Sequence, residues 1–323
     1  MRCTGVPIMN LNPNPVLLLA LSIVTISSGA EIYARKMEIV RIGGMQATVL
    51  RESVAISDRG TVICSRNAQL SPSRDWAVLW DSVRIKTSEV YVQADSVEYD
   101  FSQRRSMLYA RPGRLITVYG ESVEIRAPAL EYSFVAGMIQ APAGLELRGR
   151  SGEFVVNGQR GCYFLKSRQG IVDSEPTLKI IPEQGTEVEI TATKMDYNDV
   201  EGQFRATGNV RVRSGAGELV CDSAVFHPSG DSGVAWGSPK VKDSSGVAEG
   251  DTVVFYLKDR SLRQVAFHGR AKGQYRTNSG ETVLVNGSQL SMELADGKID
   301  VIEVANLISG QLIRHGAAER IGD

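Results

Sequence analysis

The chain is poor in the residues that most often carry chemistry. Among 323 residues there are three histidines, four cysteines and three tryptophans, and aromatic residues make up 7%. The histidines, His227, His268 and His315, lack H-x-x-x-H spacing, and no cysteine or carboxylate cluster joins them into a metal-ligand set. No P-loop or dinucleotide fingerprint occurs. Gly230-Asp-Ser-Gly233 has the look of a serine-protease nucleophile segment, but in that family the histidine base precedes the serine, and no histidine lies well upstream. A tight turn between strands is the plainer reading. The sequence is therefore read as that of a protein with no catalytic residues, no metal and no cofactor.

Charge of one sign is also missing. Lys plus Arg is 36 and Asp plus Glu is 37. Binding along phosphate backbones needs a basic surface, so no nucleic-acid partner is expected. Long hydrophobic runs are absent apart from Val16–Ile26. That run is short of the roughly 20 residues of a bilayer span and fits the apolar stretch of an export signal, about 7–15 residues. The small residues Ser28-Gly29-Ala30 follow it. The expectation is a signal peptide over 1–30 and a periplasmic protein. The alternative is an uncleaved segment anchored in the inner membrane. Cys3 would leave with the signal, and Cys64, Cys162 and Cys221 would remain with no C-x-x-C pair. Export permits a disulfide, but this spacing does not demand one.

What the chain does have is alternation. Val188-Glu-Ile-Thr-Ala192, Val210-Arg-Val212 and Val253-Val-Phe-Tyr-Leu257 are short apolar and polar runs of strand type. Gly, Asn, Asp and Ser clusters separate such runs, as in Gly208-Asn209, Ser214-Gly-Ala-Gly217 and Asp243-Ser-Ser-Gly246. Asn286-Gly-Ser288 fits a glycosylation sequon and reads better as another turn. No amphipathic helix is expected beyond residue 40.

The alternating segments repeat. The unit is a strand, a small residue, a polar pair and a second strand. It occurs as Val90-Tyr-Val-Gln-Ala-Asp-Ser-Val-Glu-Tyr-Asp100, Glu187-Val-Glu-Ile-Thr-Ala-Thr-Lys-Met-Asp-Tyr197 and Glu218-Leu-Val-Cys-Asp-Ser-Ala-Val-Phe226. Val97, Leu130, Met195, Val225, Val253 and Leu290 mark copies at a period of roughly 30 residues, the 65 residues from Leu130 to Met195 leaving room for one degenerate copy near Glu153-Phe-Val-Val156, and such a period is the signature of stacked supersecondary units. At each polar pair the apolar parity flips, from Val90, Val92 and Ala94 to Val97, Tyr99 and Phe101. A one-residue phase change of that kind predicts a corner or bulge, where the strand turns while its apolar side chains stay inside. The fold class expected is all-β, built of two facing antiparallel sheets. The organisation expected is a first half over 31–150, a Gly-rich boundary over 151–185, a second half over 186–310 and a polar tail over 311–323.

The pattern of residues 187–226, with Met195-Asp-Tyr197 leading into Gly202-Gln-Phe-Arg-Ala-Thr-Gly-Asn-Val-Arg-Val212, resembles the OstA-like family of lipopolysaccharide-transport proteins, of the LptA, LptC and LptD N-terminal type. The resemblance is diffuse over the rest of about 88–295. It implies a β-jellyroll, or "taco", here extended or in tandem, whose groove holds lipid acyl chains. It also implies lipopolysaccharide or a similar acylated lipid as partner, and edge-to-edge strand pairing with other OstA-like proteins or with further copies of this chain. The strands near Glu38–Leu50 and Ile299–Leu307 would then supply the edges. The apolar phase of the strands places Val188, Ile190, Phe204, Val210, Val212, Phe255 and Leu257 on the interior face, with Glu189, Arg205 and Arg211 outside. Two other readings compete. One is a ligand-free β-repeat scaffold of the cell envelope. The other is a β-helix polysaccharide enzyme, which would need Asp, Arg or Lys at repeat spacing on one face, and none occurs.

Overall fold

The computed structural model describes residues 22–25, 29–42, 45–181, 187–215, 217–227, 232–258, 261–277, 280–295 and 298–313. Among these the regular structure is entirely β, and every registered strand pair is antiparallel. The proposed signal segment lies almost wholly outside the described residues. So do Cys3, Gly230-Asp231 and His315. Ser22–Thr25 is an exception, a strand paired with Glu31–Ala34. The chain divides into two compact units. The first runs to Leu145 and takes in Phe164–Lys166, and the second comprises Glu146–Tyr163 and the chain from Ser167 onward.

The first unit holds β1 (Ser22–Thr25), β2 (Glu31–Ala34), β3 (Lys36–Ile42), β4 (Met45–Asp58), β5 (Thr61–Leu70), β6 (Trp76–Lys86), β7 (Tyr91–Asp100), β8 (Arg105–Tyr109), β9 (Ile116–Tyr119), β10 (Val123–Ala127), β11 (Ala129–Ser133) and β12 (Met138–Ala141). The long strands each belong to two sheets. The first half of β4 pairs with β3 and its second half with β2. Its register with β5 breaks between Arg51 and Val54. The β5–β6 and β6–β7 registers break at the equivalent places. β7 then pairs through Tyr91–Gln93 with β9 and through Ser96–Asp100 with β8. One sheet therefore contains β2, β9, β10 and one half of each long strand. The other contains β3, β8, β11, β12 and the remaining halves.

The second unit repeats this plan. β13 (Leu145–Gly149) and β15 (Arg160–Phe164) span the division between the units. Then follow β14 (Phe154–Gly158), β16 (Gln169–Asp173), β17 (Thr177–Ile180), β18 (Val188–Thr191), β19 (Lys194–Asn198), β20 (Gln203–Ser214), β21 (Gly217–Phe226), β22 (Ser232–Trp236), β23 (Lys240–Lys242), β24 (Gly246–Glu249), β25 (Thr252–Lys258), β26 (Ser261–Arg276), β27 (Thr282–Ala295) and β28 (Lys298–Ile313). β20 pairs with β19 through its first half and with β18 through its second, with a register break between Thr207 and Val210. β26 likewise pairs with β25 and then with β24. The Gly-rich stretch around 151–185 contributes the regular strands β14, β15, β16 and β17.

The corners have one physical cause, and it recurs. Two consecutive residues adopt positive φ at Glu52-Ser53, Asp81-Ser82, Ser174-Glu175, Gly208-Asn209, Gly237-Ser238 and Gly269-Arg270. A pair of left-handed residues redirects the strand from one sheet into the other. The neighbouring strand passes this pair with its small-polar step. Thr193 N donates to the carbonyl of Gly208 at 2.8 Å, Asp222 N to Gly237 at 3.2 Å and Asp251 N to Gly269 at 3.3 Å. The Ala-Asp-Ser type motif of the sequence is this passing strand. Where glycine occupies the corner the approach is close, since a Cβ on Gly237 would lie 2.4 Å from Asp222 Cβ. Asn286-Gly-Ser288 lies at such a corner in β27 and not in a free turn, with Asn286 Nδ2 donating to Ser309 Oγ at 2.8 Å.

Alternation then does the rest. β-branched and aromatic residues suit a pleated surface packed on one side, and inward residues such as Ile56, Ile63, Leu79, Ile85, Val97 and Leu108 are fully buried. Outward positions carry charge, paired across strands as in Arg105–Glu131 at 2.6 Å and Lys242–Glu218 at 3.0 Å, and along one strand in Lys194–Asp196 at 2.7 Å. Such exposed pairs contribute little stability each, on the order of 0–1 kcal/mol. The free energy of the fold resides in the interior. Cys64, Cys162 and Cys221 form no disulfide among the described residues. Cys221 is buried in the corner of β21, the small-residue role its motif suggests, and burial pushes its thiol up to about 11.

Candidate functional site

The interior between the two sheets of each unit is where a ligand could be held, and in the second unit it contains the residues singled out from the sequence. Val188, Ile190, Phe204, Val210 and Phe255 are all buried on the inward face. Val212 shares that face, opposite Ile190 and Leu219, but is half-buried because it lies toward the free end of its strand. The backbone of Leu257 is in β25, and its side chain lies outside the described residues. Glu189 is half-buried beside Lys179, while Arg205 and Arg211 are exposed. The inward and outward parities are therefore as the alternation requires.

Aromatic rings fill the middle of this interior. Phe154 of one sheet meets Tyr197 and Phe204 of the other at ring-centroid distances of 5.2 and 4.9 Å. Phe204 also stacks on Tyr197 at 4.4 Å and on Phe226 at 5.7 Å. Gly233, between Phe226 and Phe255 on neighbouring strands, leaves room for the Phe255 ring, since a Cβ there would lie 2.1 Å from it. Toward β28 the same face opens. Val285, Ile302 and Val304 point inward yet are only half-buried, and Leu312, opposite Val283, is 50% exposed. Leu307 and Ile308 of the same strand are exposed at 58% and 78%. β28 pairs with β27 along one side, and no partner strand lies along its other side among the described residues.

Polar groups sit where the two sheets approach at their turns, away from the corners. Sequence reasoning missed them. In the first unit Tyr99, from the sheet of β8, donates its hydroxyl to Asp58 Oδ2, at the end of the β4 half in the other sheet. Arg104 Nε lies 3.5 Å from the same carboxylate. Phe101 and Phe134 pack edge-on against Tyr99 at 5.0 and 5.6 Å. Tyr132 reaches across in the same way to the hydroxyl of Thr87. In the second unit Asp199 accepts from Tyr163 at 3.0 Å, Tyr197 at 3.1 Å and Arg168 at 2.9 Å, all within one sheet and its turns. Burial, and then the neighbouring carboxylate, push the Tyr99, Tyr163 and Tyr197 phenols far above their ordinary value. Burial pushes Tyr132 up to about 12. The residue spacing carries no signal for these clusters. Asp58 and Tyr99 meet only because the two sheets face one another.

Fold and site together define a class: an all-β, repeat-built jellyroll of antiparallel sheets around an apolar interior. No protein-family profile and no curated protein matches the chain. Among solved structures it is similar, at 12% identity and a TM-score of 0.20, to LptH of Pseudomonas aeruginosa, described as the LptA-homologous periplasmic component of the lipopolysaccharide transport device. That match covers 43% of this chain and 76% of the other. A second likeness, to the WD40 domain of SCAP from fission yeast, has 9% identity and a TM-score of 0.15, and covers 87% and 89%. Superpositions this loose carry no functional argument, and the class rests on the strand pairing and burial given above.

Proposed function

We propose that this chain is a periplasmic carrier for an acylated lipid of the lipopolysaccharide type, holding acyl chains along the interior face of Val188, Ile190, Phe204, Val210, Val212, Phe255 and Leu257, without catalysis. The observation that carries the reading is the uncovered end of the interior. An ordinary packed core closes on itself. Here, among the described residues, the inward row remains apolar through Val285, Ile302, Val304 and Leu312 while losing its cover. Each methylene of an acyl chain buried there would contribute about 0.8 kcal/mol, so a multi-chain lipid binds tightly with few polar contacts. The open side of β28 supports addition of a strand from an OstA-like partner or a second copy, since an unpaired edge is a template for β-augmentation. A net charge near zero fits a lipid better than a nucleic acid.

The packed rings of Phe154, Tyr197, Phe204 and Phe226 favour a second reading, a ligand-free scaffold. One experiment separates the two. Photo-crosslinking groups are placed at Phe204, Val210 and Val304, inward, and at Arg205, Arg211 and Glu303, outward. The protein is isolated from envelopes, and its adducts and co-purified lipids are identified by mass spectrometry. The carrier reading expects lipid adducts at inward positions only. Equal labelling of both parities, or none in a folded protein, supports the scaffold instead.

A further inference from the structure

We infer that Asp58, Tyr99 and Arg104 form a polar latch that holds the two sheets of the first unit together at their turns, and that release of this latch is how an amphiphile enters the interior from the side. The inference rests on the carrier reading for what enters, but not for the latch itself. The contact joins the two sheets far from any corner, where no backbone connection ties them. Asp58 is 2% exposed, and its Oδ1 has no hydrogen-bond partner among the described residues. Arg59 Nε lies 3.9 Å from that oxygen, with its side chain largely in solvent. The carboxylate is thus buried and only partly satisfied. Burying such a group is costly, and a phenylalanine at position 99, packed on Phe101 and Phe134, would close the same gap without it. A closure made of one hydroxyl, one carboxylate and one guanidinium is directional and exchangeable. A hydroxyl or ammonium of an incoming head group can take the free Asp58 oxygen as Tyr99 leaves, so opening and head-group capture become one step. A second buried aspartate, Asp199 of the second unit, accepts from three donors within one sheet and its turns, so Tyr163→Phe, which removes one of them, serves as a control.

The test uses the full chain and dansylaminoundecanoic acid, whose fluorescence rises in an apolar site, followed by stopped flow. Tyr99→Phe and Asp58→Asn are expected to raise both uptake and release rates at least fivefold while changing equilibrium affinity less than twofold. Tyr163→Phe should leave both rates unchanged. Hydrogen exchange supplies a readout independent of any ligand: amides of Val54–Thr61 and Ser96–Arg105 should exchange at least fivefold faster in Tyr99→Phe. Arg104→Gln, at the most exposed member of the latch, provides the same comparison should Tyr99→Phe not fold. Unchanged rates and exchange in folded Tyr99→Phe or Arg104→Gln overturn the latch while leaving the carrier reading intact. Faster exchange with no probe binding by any variant keeps the latch and removes the carrier reading.

Discussion

Phe204→Ala tests whether the middle of the interior is solid. Phe204 is 1% exposed and touches three rings at 4.4, 4.9 and 5.7 Å. Removing a buried phenylalanine costs about 3–5 kcal/mol, from lost transfer free energy and the cavity left behind. Ring pairs add about 0.5–1.5 kcal/mol each beyond their area, which puts this site in the upper half of that range, near 4 kcal/mol. The neighbouring Arg205→Ala, on the exposed face, should change stability by less than about 0.5 kcal/mol. A chain of two units does not unfold in one step, so the signal must report on the correct unit. Trp236 on β22, the strand that pairs with β21, lies opposite Ser223 and serves once Trp76 and Trp80 are replaced by phenylalanine. Urea titrations followed by its fluorescence give the midpoint and slope. A loss below about 1 kcal/mol for Phe204→Ala at unchanged slope would mean that the rings do not pack, and the two-sheet interior described above would be wrong at its centre.

The structure also sets the outcome of four other perturbations. Glu52, at φ 63°, holds a left-handed conformation that costs an L residue about 1–2 kcal/mol, so Glu52→Gly should raise thermal stability; Gly237→Ala, at φ 81° against Asp222, should lower it by at least about 2 kcal/mol. Because Tyr132 is raised in the fold to about 12, the unfolded chain loses the proton first, and stability should be intact below the ordinary phenol range near pH 10 and decline from there toward pH 12. Absorbance titration at 295 nm should accordingly show the buried tyrosines Tyr99, Tyr132, Tyr163, Tyr197 and Tyr275 ionising only together with unfolding, and a smooth titration near pH 10 of all ten tyrosines would contradict it. Ile308→Lys on the outermost strand should reduce any concentration-dependent growth seen by light scattering without lowering the melting temperature, and unchanged growth would place the contact elsewhere.

Much of this architecture is legible in the sequence because it depends on parity. The flip from Ala94 to Val97 across Asp95-Ser96 states that the strand changes sheets, and the structure places the corner there. The same logic assigns Phe204 and Val210 to the inside and Arg205 and Arg211 to the outside. What makes the corner is not legible. Glu52-Ser53, Asp81-Ser82 and Ser174-Glu175 adopt positive φ without a single glycine, because the pairing on both sides imposes a conformation that local preference would not select. Val212 shows the limit of parity in another way. Its face is correct, but its exposure depends on how far the opposite sheet extends over it. The Asp58–Tyr99 contact is the extreme case, since it joins residues whose strands never pair.

The order of assembly follows from the pairing. Among the described registers no partner lies farther along the chain than Ile313 does from Thr282, and most join consecutive or next-but-one strands. Contacts this local carry little loop-closure cost, and repeat arrays of this kind can nucleate at one place and propagate. A chain emerging N-terminus first can therefore add each new strand to an edge that is already waiting, and stop at any repeat with a complete sheet behind it. The growing end of the nascent protein and the side of β28 that has no partner strand among the described residues are then the same kind of surface, and the polypeptide's own synthesis rehearses strand addition at that edge.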